Sequence, residues 1–185
     1  MSLLSPQTID TAPPASRPGL EAVRRQLGFI PNLFATFAES PTLLSGYLAL
    51  DAAYSKGSLS PLERQAVLIA VSAENDCEYC VAAHSTVAGM LRAPEAIVRA
   101  VRDLKPVPDP RIDALVSFTR VVVRTRGNVP SGTVDDFLAR GFTKDELGEV
   151  FLGIGLKTIS NYFNALAGTP LDDAFAPQAW QAAAG

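Results

Sequence analysis

The chain has 185 residues, 48% of them hydrophobic and 19% charged. That length suits one domain and that balance buries a sizeable core, which excludes a disordered chain. A net charge of −3 argues against a nucleic-acid surface, and no run approaches the roughly 18 uninterrupted apolar residues of a membrane span.

The N-terminus shows no basic segment followed by an apolar one, so a secretory signal is not expected and a cytoplasmic location is. Residues 1–17 carry Pro6, Pro13 and Pro14 among serines and threonines, and read as an extended arm, loose or laid over a neighbour. Residues 18–185 read as a single helical domain.

In chain order, Pro18 to Leu27 reads as a short helix stopped by Gly28. Pro31 opens a second. Ser40-Pro41 supplies an N-cap and a first-turn proline for a third, to about Ser55. Ser60-Pro61-Leu62-Glu63 spells a capping box, and the run from Gln65 to Ala73 is apolar nearly all round, so this helix is expected at the centre. Asn75-Asp76 breaks it, with Asp76 the expected N-cap of a helix from Cys77 to Gly89. Pro94 starts the next, ending near Leu104. The proline-rich stretch Lys105 to Pro110 is a linker. A long helix then runs to about Arg126, and Ser131 to Arg140 forms another. Thr143-Lys144-Asp145-Glu146 is a second capping box, opening a helix to about Ala165. A short helix is expected over 176–183. Val121-Val122-Val123 is β-branched but sits within helical spacing, so no strand is expected and the fold class is all-α.

An offset of 83 residues lays Ser60 on Thr143, Glu63 on Glu146, Val67 on Val150 and Tyr79 on Tyr162. This suggests a duplicated helical unit whose second copy has Ser160 and Phe163 in place of the cysteines.

Cys77 and Cys80 are the only cysteines and His84 the only histidine. The cysteines close too small a loop to staple a domain, which turns them toward redox or metal chemistry. On one helix, the i,i+3 and i,i+4 spacings put all three side chains on a single face. A helix N-terminus lowers a thiol pKa, a histidine one turn on takes the proton, and a second cysteine resolves the oxidised sulfur. No bound cofactor is needed, and no GxGxxG fingerprint is present. Two other readings stand beside this one. The cysteines are an unreactive buried pair, or they hold zinc, which wants a fourth ligand that the chain would take from a carboxylate or another subunit.

The run Leu59 to Val67, continuing through Asn75 to His84, resembles the AhpD-like alkylhydroperoxidase branch of the carboxymuconolactone decarboxylase family. Leu27 to Phe34 and Ser40-Pro41 resemble the N-terminal part of its peroxidase-related subgroup. Ser160 to Asn164 and Thr169 to Asp172 resemble its C-terminal part. The resemblance implies an all-helical fold, often built from a repeated unit, that assembles as trimers or as hexamers of dimers. It implies a thiol peroxidase that acts on organic or hydrogen peroxides and is recycled by an external dithiol, with no metal. Cys80 would be the peroxidatic thiol, Cys77 would resolve it through a redox-active disulfide, and His84 would belong to a proton relay. The dipole argument alone favours Cys77 as the activated thiol.

The family's relay usually includes a glutamate twelve residues before the first cysteine, where this chain has Gln65. Glutamine does not pass a proton as a carboxylate does. Glu63 suits the capping box instead, Glu74 ends the preceding helix and Glu78 faces water. A disulfide reductase using the same cysteines, or a non-catalytic helical oligomer with redox-sensing cysteines, are the alternative functions.

Overall fold

The computed structural model describes residues 4–182. Among these, nine α-helices and two 3₁₀ turns account for the regular structure, and no strand is present. The helices are α1 (Arg17–Leu27), α2 (Asn32–Phe37), α3 (Pro41–Tyr54), α4 (Pro61–Glu74), α5 (Glu78–Met90), α6 (Glu95–Arg102), α7 (Pro110–Thr125), α8 (Thr133–Ala139) and α9 (Lys144–Ala167).

Helix α4 is the hub, packed against α5, α6, α7 and α9. Its three faces enter three different apolar clusters. Leu68 joins α1–α3 and the cysteines, Ala66, Ile69 and Ala70 meet α6 and α7, and Val67 and Val71 meet α7, α8 and α9. A fully buried aliphatic side chain contributes about 1.5–3 kcal/mol, so a helix buried on every face anchors the domain.

Both capping boxes form: Ser60 with Glu63 at the start of α4, Thr143 with Glu146 at the start of α9. One side chain ties them together. Arg111 Nε is 2.6 Å from Glu63 Oε1, and its Nη2 is 2.6 Å from Glu146 Oε1. Its guanidinium also lies 4.1 Å from the centre of the Phe142 ring. Helix α9 runs unbroken through the positions that the 83-residue offset lays on the break at Asn75-Asp76, and it ends at Ala167, short of the counterpart of the end of α5.

The structure changes several local expectations. Asp76 does not cap α5. It takes a left-handed conformation (φ 52°), which aspartate tolerates, and turns the chain so that the Cys77 N–H reaches Ser72 O at 2.9 Å. Cys77 itself is the N-cap. Within the chain, residues 7–16 pack against the loop and helix that follow. The Gln7 N–H bonds Ala35 O at 3.0 Å, Ser16 Oγ donates to Ala38 O at 2.7 Å, and Ala12 is buried. The expected C-terminal helix is only a 3₁₀ turn, Ala176–Gln178, and residue 183 lies outside the described residues, as does the start of the arm.

No helix among the described residues is long and apolar enough to cross a membrane.

Candidate active site

Helix α5 starts with Cys77 at its N-cap, so Cys80 falls in its first turn, at the third helical position. Both sulfurs therefore sit where unpaired N–H groups and the helix dipole favour negative charge. The dipole does not choose between them as the sequence alone suggests. Both cysteines are free thiols, and both are buried, Cys80 at 1% exposure and Cys77 at 7%.

Helix α9 closes over them. Asn164 Nδ2 lies 3.3 Å from Cys80 Sγ and 3.8 Å from Cys77 Sγ, and Ser160 Oγ is 3.8 Å from Cys80 Sγ. The Oδ1 of Asn164 has no hydrogen-bond partner, an unused acceptor on a side chain that already touches both sulfurs. Ser160 is the position that the 83-residue offset lays on Cys77.

His84 is held from both sides of its ring. Nδ1 is 2.9 Å from Gln65 Oε1, and Nε2 is 2.9 Å from Lys157 Nζ. An ammonium only donates, so Nε2 accepts, Nδ1 carries the proton and Gln65 Oε1 receives it. This assigns a neutral imidazole. Burial and then the Lys157 charge push its pKa well below the ordinary histidine value, in agreement. The spacing suggests a pairing of His84 with Cys80; the imidazole's hydrogen bonds go to Gln65 and Lys157 instead.

Burial pushes the Cys80 thiol up. The hydrogen bond from Cys77, the Lys157 charge and the Ser160 hydroxyl outweigh it, and Cys80 stands well below an ordinary thiol. Cys77 moves the other way, first through the hydrogen bond it gives to Cys80 and then through burial. The two thiols are thus separated by environment, the Cys80 pKa drawn down and the Cys77 pKa pushed up.

Cys80, His84, Gln65 and Lys157 line one cavity of about 240 Å³, while Cys77 stands behind it. Its remaining walls are mainly apolar and aromatic, with Leu33, Phe34, Tyr47, Tyr54, Tyr79 and Phe175 prominent. The C-terminal segment forms part of the wall. Tyr79 Oη donates to Asp172 Oδ2 at 2.6 Å and accepts from the Leu33 N–H at 3.2 Å, and Phe175 packs edge-on against the Tyr79 ring. Among the described residues, no group of three or more His, Cys, Asp or Glu side chains is placed to hold a metal ion.

All four residues singled out from the sequence converge here. Glu63 is committed to Ser60 and Arg111, and Glu74 to Arg120 and Arg124. The residue that sequence reasoning missed is Lys157. It is 1% exposed and sits mid-way along α9. Its one signal was its isolation, a single charge in the apolar stretch from Val150 to Ala167.

Residues 41–108, which span α3 to α6 and the whole cysteine segment, match the carboxymuconolactone decarboxylase family. Among curated proteins none matches the chain. Solved structures do. A peroxidase-related protein from Ralstonia eutropha JMP134, described as an alkylhydroperoxidase AhpD core, superposes with a TM-score of 0.84 at 25% identity over 94% of both chains. A peroxidase-related protein from Silicibacter sp. TM1040 gives 0.79 at 18% identity over 94% of both. The debrominase Bmp8, in complex with 2,3,4-tribromopyrrole, gives 0.81 at 19% identity over 96% of both. The family match thus rests on residues 41–108, and the chain as a whole has the AhpD-like, all-α fold of these structures.

Proposed function

We propose that the protein is a thiol peroxidase of the alkylhydroperoxidase type. The observation that carries this reading is the asymmetry of the cysteine pair. Cys80 opens onto the cavity with its thiol held down, and Cys77 lies behind it with its thiol held up and donating to Cys80. A thiolate is the nucleophile toward an O–O bond, and a thiol three residues away is the group that condenses with the resulting sulfenic acid.

The Cys80 thiolate attacks the terminal oxygen of an organic or hydrogen peroxide. An S–O bond forms, the O–O bond breaks and an alcohol or water leaves. Cys77 then displaces hydroxide from the sulfenic acid to form the Cys77–Cys80 disulfide, and an external dithiol reduces it. The apolar cavity suits a compact organic hydroperoxide. No bound cofactor takes part.

The test is peroxide-dependent consumption of a dithiol such as dihydrolipoamide, followed with hydrogen peroxide and cumene hydroperoxide. Turnover supports the reading. Exchange with disulfide substrates without peroxide turnover identifies a disulfide reductase instead. Neither activity identifies a non-catalytic protein with redox-sensing cysteines.

The working form is a homo-oligomer, a trimer or a hexamer. Helix α9 leaves Phe151, Ile159, Tyr162 and Leu166 exposed along one side, Tyr162 at 65% and Leu166 at 73%. A monomer rarely leaves such a stripe open to water. Light scattering at micromolar concentration measures this directly.

A further inference from the structure

We propose that Lys157 is a working part of this site: its ammonium holds Cys80 as a thiolate and donates the proton that the departing alkoxide needs. The second clause rests on the peroxidase reading; the first does not.

Lys157 is fully buried, and none of the ion pairs among the described residues includes it. An ammonium in such a place costs several kcal/mol unless an anion and hydrogen bonds compensate it. One hydrogen bond goes to His84 Nε2 at 2.9 Å. A neutral imidazole accepts a proton's hydrogen bond but supplies no charge.

The titratable groups around Lys157 come from α3, which gives Tyr47 and Asp51, and from α5 and its N-cap, which give Cys80, His84 and Cys77; Arg64 of α4 lines the same cavity. Burial raises the pKa of Tyr47, and the hydrogen bond that Cys77 gives to Cys80, followed by burial, raises that of Cys77, so neither supplies an anion at neutral pH. Asp51 lines the same cavity; burial raises its carboxyl pKa and the Lys157 charge lowers it. Cys80 contributes most to holding the lysine protonated against burial, and the lysine charge in turn lowers the Cys80 thiol. Gln65 completes the arrangement. By accepting from Nδ1 it fixes the tautomer whose Nε2 faces Lys157.

The proton count closes. Attack of the Cys80 thiolate on a hydroperoxide leaves the hydroxyl on sulfur and releases an alkoxide. Lys157 gives that alkoxide its proton and becomes a neutral amine. The amine takes the Cys77 thiol proton, Cys77 displaces hydroxide from the Cys80 sulfenic acid, and the same proton returns to the hydroxide as water. The disulfide state thus holds a neutral Lys157. Reduction by an external dithiol delivers two protons, one to Cys77 and one to Lys157, and restores the starting state.

A neutral Lys157 in the oxidised form is a state that burial favours, whereas the reduced form requires the charge.

The experiment is a pH titration of thiolate absorbance at 240 nm on the reduced protein. Wild type, Lys157→Met and Lys157→Arg are compared, with Cys80→Ser identifying the signal. Helical circular dichroism checks each fold, and Lys157→Gln replaces the methionine variant if that one fails to fold. In the wild type the Cys80 thiolate is present through neutral pH. Lys157→Met moves its titration upward by about two pH units, the size expected for loss of a close opposite charge. Lys157→Arg keeps the low titration but loses turnover of cumene hydroperoxide at least about tenfold, because a guanidinium does not release its proton.

An unchanged titration in a folded Lys157→Met or Lys157→Gln protein overturns the thiolate pairing. Wild-type turnover in Lys157→Arg overturns the proton donation. A shifted titration in Lys157→Met, together with a wild type that turns over no peroxide, leaves the pairing standing and removes both the donation and the peroxidase reading.

Discussion

The Nζ of Lys157 lies 2.9 Å from Nε2 of His84, on the side of the imidazole opposite Gln65. The contact makes the only histidine of the chain a neutral acceptor and places the only charge between Val150 and Ala167 on the wall of the cavity that Cys80 lines. A lysine from α9 therefore polarises the site, while Gln65 stands where the family resemblance expects a glutamate.

The cysteine roles separate cleanly in variants. Mild oxidation of the wild type removes two free thiols and two mass units, with no linked dimer in denaturant, since both sulfurs meet the same Asn164 amide. Cys80→Ser abolishes peroxide turnover. Cys77→Ser still reacts once and stops at a sulfenic acid trapped by dimedone, read by mass spectrometry. A sulfenic acid found on Cys77 instead would reverse the assignment.

Gln65→Glu places a carboxylate against the Nδ1–H of His84, 2.9 Å away in the wild type. An opposite charge favours the imidazolium, so the His84 pKa rises from its depressed position. We expect kcat/KM for a small alkyl hydroperoxide to increase, by less than the roughly 10²–10⁴-fold of a complete acid–base group, because Lys157 already charges the sulfur. Kinetics across pH 6–9 with an NMR titration of His84 measures both effects. A shifted histidine with no gain in rate removes His84 from the proton path.

His84 also links stability to pH. Its folded pKa is lowered, by burial first and Lys157 second. The unfolded chain therefore binds a proton below about pH 6.5 that the folded chain refuses. Stability is complete above that pH and falls as pH drops from there toward the folded value, by up to about 1.4 kcal/mol per pH unit. Urea unfolding at pH 7, 6 and 5 shows this slope in the wild type, and His84→Asn flattens it.

Arg111→Met separates the two capping boxes. It leaves the Glu63 and Glu146 carboxylates, each with 10% side-chain exposure, without their shared partner. The expected loss is about 1–3 kcal/mol at pH 7. Burial raises the Glu63 pKa, while the Ser60 and Arg111 hydrogen bonds outweigh it and hold the carboxyl low. That stabilisation is present above the ordinary carboxylate range and is lost as pH falls through the folded value. The urea midpoints of variant and wild type therefore converge on acidification.

Gly153→Ala tests the closest approach of α9 to the core. A Cβ there would lie 3.0 Å from the Tyr54 ring and 3.0 Å from Val67 Cγ1. Tyr54 and Val67 are both buried and do not yield easily. The expected cost is about 1–3 kcal/mol, read as a lower melting temperature.

Helix starts and stops were legible because their physics is local. Ser60 and Thr143 each satisfy a backbone N–H three residues on, and Gly28 takes the left-handed turn that ends α1. The all-α class, the central place of α4 and the shared face of Cys80 and His84 follow from the same short-range periodicity, whereas Cys77, at the N-cap, stands off that face. Asp76 misled because N-capping and a left-handed turn draw on the same residue type, and the bond from the Cys77 N–H to Ser72 O selects between them.

Lys157 could not be read in this way. Whether a lysine is solvated or buried depends on which helices close over it, and α3 and α5 come from residues 41–90, far from it in the chain. The same packing turned His84 toward Lys157 and Gln65 rather than Cys80, set Cys80 on the cavity wall and left Cys77 behind it. Spacing along a helix determines which side chains share a face. The dielectric and the charges that meet that face, and hence which thiol has its pKa drawn down, arise only when the remaining helices pack against it.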